Sequence, residues 1–418
     1  MKVTDLYNIY KKNPVISTDT RKIKKKSLFF ALKGDQFNGN LFAKEAIKKG
    51  CSFAIIDEEK YYTNNKFILV KNTLETLQNL AKYHRKHLKL PIVGITGTNG
   101  KTTSKELIYS ILKSELNCYA TKGNLNNHIG VPLSILEINH NHDIAIIEMG
   151  ANHNKEIEFL CNITQPTHGV ITNIGSAHLQ GFKNLQGIIN TKKELYQFIR
   201  KNNGLLFVNK DDNLLVNLSK DIKKVNYGIK SKLNISVNNN TYFLNIKWEE
   251  KNIQSKLIGE FQFYNISLAI CISNYFKISN KKIQLAIESY TPKNNRSEVI
   301  ETSHNIIILD AYNANPSSMK SMLDSFAKQK DKQKLCILGD MLELGEASSK
   351  EHKSLMKITK ELNLDCIFIG AEFHKINIKA FKSRKEFETS LLAEPIKNKT
   401  ILIKGSRGIG LENLVRFL

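Results

Sequence analysis

The sequence predicts an α/β chain of three domains, the central one a doubly wound parallel sheet of the phosphate-loop type. Short, nearly continuous apolar runs recur at Ile92–Ile95, Asp143–Glu148, Gly169–Asn173 and Gly204–Asn209, each closed by a polar or glycine-rich turn. Such runs suit strands covered on both faces by helices. A glycine loop directly follows the first of them and opens a helix, Lys101 onward. A second strand–helix series starts near Thr291-Pro292, with strands predicted at Asn305–Asp310, Lys334–Gly339, Asp365–Gly370 and Thr400–Lys404. The length of 418 residues agrees, at roughly 150 per domain.

Element by element, the first segment, 1–88, reads as a small α/β domain. Ser27 to Gly34 is a strand ending in a glycine turn, Phe42 to Gly50 a helix with a glycine stop, and Cys51 to Ile56 a buried strand. Thr73 to His87 has Leu74, Leu77, Leu80 and Ala81 on one face and a basic tail, the pattern of a helix. It ends just before Pro91, which sets the boundary to the central domain, 89–291. There Asn238 to Glu250 reads as an antiparallel strand and Phe263 to Phe276 as an apolar helix. The remainder, 292–418, is expected to form a Rossmann-like sheet.

Composition bounds the function. The net charge of +23 invites a nucleic-acid reading, but the lysines are dispersed and mixed with Asn and Ile, with no basic stripe and no stacking aromatics. The expectation is no nucleic-acid partner, only a general pull on anionic substrates. Six cysteines stand scattered without a C-x-x-C, as small core residues of a reducing compartment do. The N-terminus lacks the apolar stretch of a signal peptide, and no run approaches about 18 apolar residues. A soluble, cytoplasmic monomer with no membrane insertion is expected.

The chemistry starts at P-I-V-G-I-T-G-T-N-G-K-T-T, Pro91 to Thr103. Gly97 and Gly100 let the backbone turn tightly so that N–H groups around Thr98 and Asn99 face anionic oxygens at a helix N-terminus. Lys101 then meets the outer phosphates, and the Thr102 hydroxyl a Mg²⁺ ion. Ile95 stands where the strict G-x-x-x-x-G-K-[ST] pattern has its first glycine. Glu148 closes a buried strand, where a carboxylate needs a partner; a cation near Thr102 and a helix cap both remain open. His178 also follows a strand. Lys192 and Lys193 lie on an amphipathic helix, either as a solvated pair or with one carbamylated into an anionic oxygen ligand. Polar turns at Thr121–Pro132, Asp310–Pro316, Leu338–Gly345 and Lys404–Arg407 point to one composite site between domains.

These stretches resemble the Mur ligases. The loop T-G-T-N-G-K-T, without its first glycine, is the form that Mur ligases and folylpolyglutamate synthetases use. S-T-D-T-R (17–21) and F-F-A-L-K-G-D-Q-F-N-G (29–39) resemble the uridine-binding domain of the members that handle longer UDP-muramoyl peptides. G-N-L-N-N-H-I-G-V-P, E-M-G-A-N-H, Y-N-A-N-P-S-S-M and G-D-M-L-E-L-G resemble the member adding D-alanyl-D-alanine to a UDP-muramoyl tripeptide. The resemblance covers essentially the whole chain. It implies an ATP-dependent, ADP-forming amide ligase of cell-wall synthesis. It also implies residue roles. Gly97, Thr98, Asn99, Gly100, Lys101, Thr102 and Thr103 bind ATP phosphates, and Thr102 and Glu148 hold one Mg²⁺. His178 and carbamylated Lys192 help hold a second, Lys192 being preferred because the A-K-x-E pattern sets the lysine two before Glu194. Asn265 and Asn313 contact the adenine side, Asp310 the ribose, and Arg296 the phosphates across the domain gap. Thr20, Asp35 and Gln36 meet the uridine diphosphate, and Asn126 and Asn127 the muramoyl side. Three positions depart from the family pattern: Asn40 replaces a usual His, Phe261-Gln262 a usual aromatic-Asn pair, and Thr191 a usual Ala. Within the family the alternative is another, amino-acid-adding Mur ligase; outside it the competing readings are a folylpolyglutamate synthetase relative, a nucleic-acid ATPase and an inactive scaffold. Of these three, the first leaves T-D-T-R and F-A-L-K-G unexplained, and the second asks for a basic stripe. Against the third stand Lys101, Thr102, Glu148, His178 and Lys192.

Overall fold

In the computed structural model residues 1–177, 179–237, 243–330 and 333–418 are described, Leu179 by its backbone alone. The central sheet has six parallel strands among them: Ile92–Thr96, Cys118–Ala120, Ile144–Glu148, His168–Ile171, Leu205–Asn209 and Lys224–Tyr227. Ile92–Thr96 lies between Ile144–Glu148 and His168–Ile171; Cys118–Ala120 and Lys224–Tyr227 are the edges. Side chains alternate between two cores, as strand geometry requires. Val93, Ile95, Ile144 and Ile146 face the helices Lys101–Leu112 and Gln262–Tyr275. Ile92, Ala145 and Ile147 face Gly130–Glu137, Glu156–Thr164 and Leu185–Lys201. The chain leaves Ile92–Thr96 toward one edge, returns, and crosses to His168–Ile171 on the other side. That reversal opens a crevice at the carboxyl ends of these two strands.

The N-terminal sheet runs Ile16–Ser17, Leu28–Phe30, Phe53–Ile56, Phe67–Leu69, all parallel and in that order. The predicted helix Thr73–His87 forms over those residues, capped by the Asn72 side chain, which accepts from Glu75 N. Its Leu77, Leu80 and Ala81 enter the same core as Val131 and Ile135 of the central unit. Polar groups along this seam are satisfied: Tyr10 donates to the Leu136 carbonyl, and the Arg85 guanidinium to the carbonyls of Thr164, Leu88 and Gln165. The predicted strand Ser27–Gly34 is shorter, and Lys33–Gly34 instead pairs with Phe37–Asn38 in a small hairpin.

The C-terminal sheet is parallel over Ile306–Asp310, Thr400–Lys404, Lys334–Gly339 and Cys366–Ile369, with Glu298–Glu301 antiparallel at one edge. The strand expected over Asn238 to Glu250 is a meander instead. Ile235–Val237, Asn245–Trp248 and Lys251–Gln254 pair antiparallel and bury Trp248, the turn at Glu249 taking φ +52°. Residues 238–242 of that expectation lie outside the described ones. Between the helix Asn280–Ser289 and Glu298, the connecting segment holds Asn294, Asn295 and Ser297 in left-handed conformation.

Candidate active site

The first turn of the helix Lys101–Leu112 and the loop before it form the floor of a cavity of about 1040 Å³. Two glycines shape that loop. Gly97 has φ +144°, and a Cβ there would lie 2.0 Å from the Thr172 hydroxyl; Gly100 has φ +78°, and a Cβ would meet the Asn265 amide oxygen at 2.6 Å. The neighbouring strand end completes the loop: Thr98 N donates to the Asn173 carbonyl, Asn99 N to Asn173 Oδ1, and the Thr172 hydroxyl to the Asn99 carbonyl. The Lys101 ammonium donates to the carbonyls of Gly97 and Thr98 at 2.7 and 3.0 Å. Desolvation lowers it to about 8, Glu148 opposing and Arg296 adding to the shift.

Glu148, 1% exposed, stands at the end of the adjacent strand. Its carboxylate accepts from the Thr102 hydroxyl at 3.1 and 2.9 Å and from Asn126 Nδ2 at 2.8 Å. Thr102 and Glu148 thus set hard oxygens side by side beside the phosphate loop, a donor set that fits Mg²⁺ with phosphate oxygens completing its shell. Among the described residues no group of three or more His, Cys, Asp or Glu gathers as a metal cluster. Lys192 reaches the same cavity from the helix Leu185–Lys201. It is 3% exposed, with its ammonium 5.8 Å from the Phe182 ring centroid. Burial first, then Lys101, lowers it to about 7, against the pull of Glu156 and Glu194. His178 lies outside the described residues.

The other sequence-predicted groups divide in two. Asn126, Asn127, Asn265, Arg296, Asp310 and Asn313 line the cavity; Thr20, Asp35 and Gln36 do not. Asp35 and Gln36 are exposed at the turn of the small hairpin, and Thr20 opens a 3₁₀ turn whose carbonyl accepts from Lys49. Asn127 lies just before the helix Gly130–Glu137, its side chain accepting from Ile129 N and Gly130 N. Asp310 accepts from Lys404 and from Ser297 N, while the Asn313 carbonyl takes a longer bond from Lys404. The Arg296 guanidinium stacks 3.7 Å from the Tyr312 ring centroid, and Arg407 approaches that ring at 5.6 Å.

Each departure from the family pattern finds a local partner. Gln262 accepts from Asn265 Nδ2 while Asn265 Oδ1 accepts from Ser104, so the amide is fixed at both ends. Asn40 is buried and donates to Asp57. Thr191 donates to Asn154 and to the Gly187 carbonyl. Sequence reading gave no role to Thr172, Asn173, Asp211 and Lys105, and took Tyr312 only as part of the turn Asp310–Pro316. Asp211 closes the far wall and accepts from the backbone of Ile229 and Lys230. Its signal was there, an acid two residues past the end of the strand Leu205–Asn209, much as Glu148 ends its own strand.

Comparison with known proteins finds relatives along nearly the whole chain. Residues 14–85 match the family model described as "Mur ligase family, catalytic domain", 95–273 the "Mur ligase middle domain" and 295–407 the "Mur ligase, glutamate ligase domain". The UDP-N-acetylmuramoyl-tripeptide–D-alanyl-D-alanine ligase of Bacillus subtilis is 32% identical, over 96% of this chain and 92% of that protein. That of Escherichia coli is 30% identical, over 96% and 93%. MurF of Acinetobacter baumannii superposes with a TM-score of 0.85 at 29% identity, covering 96% of this chain and 92% of that one. MurF of Thermotoga maritima, solved with ADP, gives 0.83 at 25% identity, covering 100% and 98%. With three matched domain models in order and relatives of this identity along nearly the whole length, the chain belongs to the Mur ligase family.

Proposed function

We propose that the chain is an ATP-dependent, ADP-forming ligase that joins D-alanyl-D-alanine to UDP-N-acetylmuramoyl-tripeptide, yielding the pentapeptide precursor of peptidoglycan. One observation carries the reading. A glycine phosphate loop, Gly97–Thr103, opens onto one cavity shared by the acceptor-side loop with Asn126, by Arg296 of the connecting segment, and by Asp310 and Lys404 of the C-terminal sheet. Relatives bearing that activity match the chain over 96% of its length. Residues 1–88 then hold the UDP end through Thr20, Asp35 and Gln36, 89–291 hold ATP, and 292–418 close over the nucleotide and take the dipeptide.

In the first step a carboxylate oxygen of the tripeptide attacks the γ-phosphorus, the bond to the β-bridging oxygen breaks, and ADP leaves. In the second, the dipeptide amine attacks the acyl carbon, the carbon–oxygen bond to phosphate breaks, and the nitrogen gives up a proton. No side-chain nucleophile takes part. The loop N–H groups and Lys101 hold the transferring phosphoryl group, with Arg296 reaching it across the domain gap. Thr102 and Glu148 would hold a Mg²⁺ ion, which supplies positive charge between the two anions. Asn265 and Asn313 position the adenine side and Asp310 the ribose. Carbamylation of Lys192 would, with His178 as a further ligand, complete a second cation site; deep burial and lowered basicity of Lys192 favour a neutral amine able to take up CO₂. Closure of the last domain excludes water from the acyl phosphate. Every proposed group comes from one chain, so a monomer suffices. The six cysteines are free, and no described helix is long and apolar enough to cross a membrane; we place the reaction in the cytoplasm.

Phosphate release from ATP is the test, measured with UDP-muramoyl tripeptide, with and without D-alanyl-D-alanine. Release should require both, and Lys101→Ala should lower it roughly a thousandfold. Release driven by glutamate and a folate, or stimulated only by nucleic acid, would sink the proposal.

A further inference from the structure

One fully buried cation is unused by the mechanism above. Lys105 lies one turn beyond Lys101 on the phosphate-loop helix and is 0% exposed. Its ammonium donates to the Thr121 carbonyl at 2.6 Å and to the Gly123 carbonyl at 3.4 Å. It also pairs with Glu106 at 3.0 Å and lies 3.9 Å from Glu148 Oε2. An ammonium has three protons to place, and a buried one must place them all. Two of these partners, Thr121 and Gly123, begin the loop that carries Asn126 and Asn127. The same loop returns to Glu148 twice: Thr121 Oγ1 accepts from Glu148 N, and Asn126 Nδ2 donates to Glu148 Oε1.

From this closed ring of contacts we infer that Lys105 is a positioning residue, which fastens the acceptor-side loop to the phosphate-loop helix and aims the Glu148 carboxylate. The inference rests on the ligase reading for the identity of the acceptor. Two separable effects follow, because the ammonium acts in two ways. Its charge faces Glu148, which affects how the Thr102–Glu148 pair takes a cation. Its short bond to Thr121 fixes the loop, which affects the acceptor. A lysine that merely filled the core would alter stability and amount of active enzyme, but neither of those affinities.

The experiment uses the full chain and two variants, with folding checked by thermal melting. Binding of a fluorescent ATP analogue is titrated with Mg²⁺, and KM for the UDP-muramoyl tripeptide is measured beside kcat. Lys105→Met removes the charge and keeps the length. It should lower the half-saturating Mg²⁺ severalfold, since an ammonium 3.9 Å from Glu148 Oε2 no longer opposes the incoming cation, and raise the acceptor KM at least about tenfold, the scale of a lost charge-assisted bond, with Mg²⁺-free nucleotide binding within about twofold. Lys105→Arg keeps the charge but cannot repeat the single short bond. It should restore the Mg²⁺ value and leave the acceptor KM raised, and it serves alone if the Met variant does not fold. A folded Met variant with both quantities unchanged, or an Arg variant with a wild-type acceptor KM, overturns the inference. Wild-type protein without acceptor-dependent phosphate release would instead sink the ligase reading, leaving the Mg²⁺ titration to decide on Lys105.

Discussion

Leu80 and Ala81 of the N-terminal sheet's long helix share an apolar core with Val131 and Ile135, whereas the C-terminal sheet meets the phosphate loop through amides and hydroxyls. Asn99 Nδ2 donates to the Ser317 hydroxyl and Asn315 Nδ2 to Asn99 Oδ1, both at 2.9 Å; Gln180 N donates to the Glu343 carbonyl. The Lys328–Glu260 pair there is exposed and weak. Apolar contact at this second joint comes from Ile258, with Phe243 and Phe261 beside it. A shared core is lost only by unfolding, while hydrogen bonds at a wet cleft exchange readily with water. The difference assigns the two joints different tasks. On the proposed function, one would fix the acceptor-side unit on the ATP unit, and the other would let the C-terminal unit swing about the left-handed turn at Asn294, Asn295 and Ser297.

Three measurements bear on that contrast. The largest effect is expected from Leu80→Ala, which opens a cavity in the shared core. It should cost about 2–5 kcal/mol, and the two units should still unfold in one transition by urea titration. A separate early transition for the N-terminal unit would show that the joint is not a common core. Next, Asn99→Ala should leave stability within about 1 kcal/mol while lowering kcat/KM for ATP about tenfold, since it cuts both bonds to the C-terminal unit. A loss of stability as large as that of the Leu80 variant would erase the distinction. The smallest effect concerns acid. His84 lies in the apolar joint, bonded to the Ile138 carbonyl and Tyr7, and burial lowers its affinity for protons. The unfolded chain therefore binds more protons below about pH 6.5, and stability should rise with pH through that window and fall on acidification. His84→Gln should flatten this dependence; an unchanged slope in the variant would remove His84 from the account.

Much of this was legible in the residues, in proportion to how completely an element is enclosed. Ile92–Thr96 and Thr400–Lys404 are covered on both faces, so their central residues form apolar runs and their positions are plain. Cys118–Ala120, Lys224–Tyr227 and Glu298–Glu301 are edge strands; half solvated, K-V-N-Y and E-V-I-E carry no such run and went unread. At the site, glycines disclosed the phosphate loop because only they tolerate its backbone. Thr172 and Asn173, which complete it, are ordinary residues in sequence. Their role exists because His168–Ile171 lies beside Ile92–Thr96, a strand order no local pattern contains. Lys105 was hidden for a related reason, since in so basic a chain a lysine's burial is a fact of packing.

The seam between Thr73–His87 and Gly130–Glu137 also bears on how such chains recombine. A segment ending near residue 88, moved alone into a relative, would carry Leu77, Leu80 and the Tyr10 hydroxyl onto a surface not shaped for them. If the first sheet holds the acceptor as proposed, an exchange of acceptor preference between relatives has to carry Gly130–Glu137 along with it. The C-terminal unit, joined by a few polar contacts and the small apolar patch around Ile258, is the portion more readily traded whole.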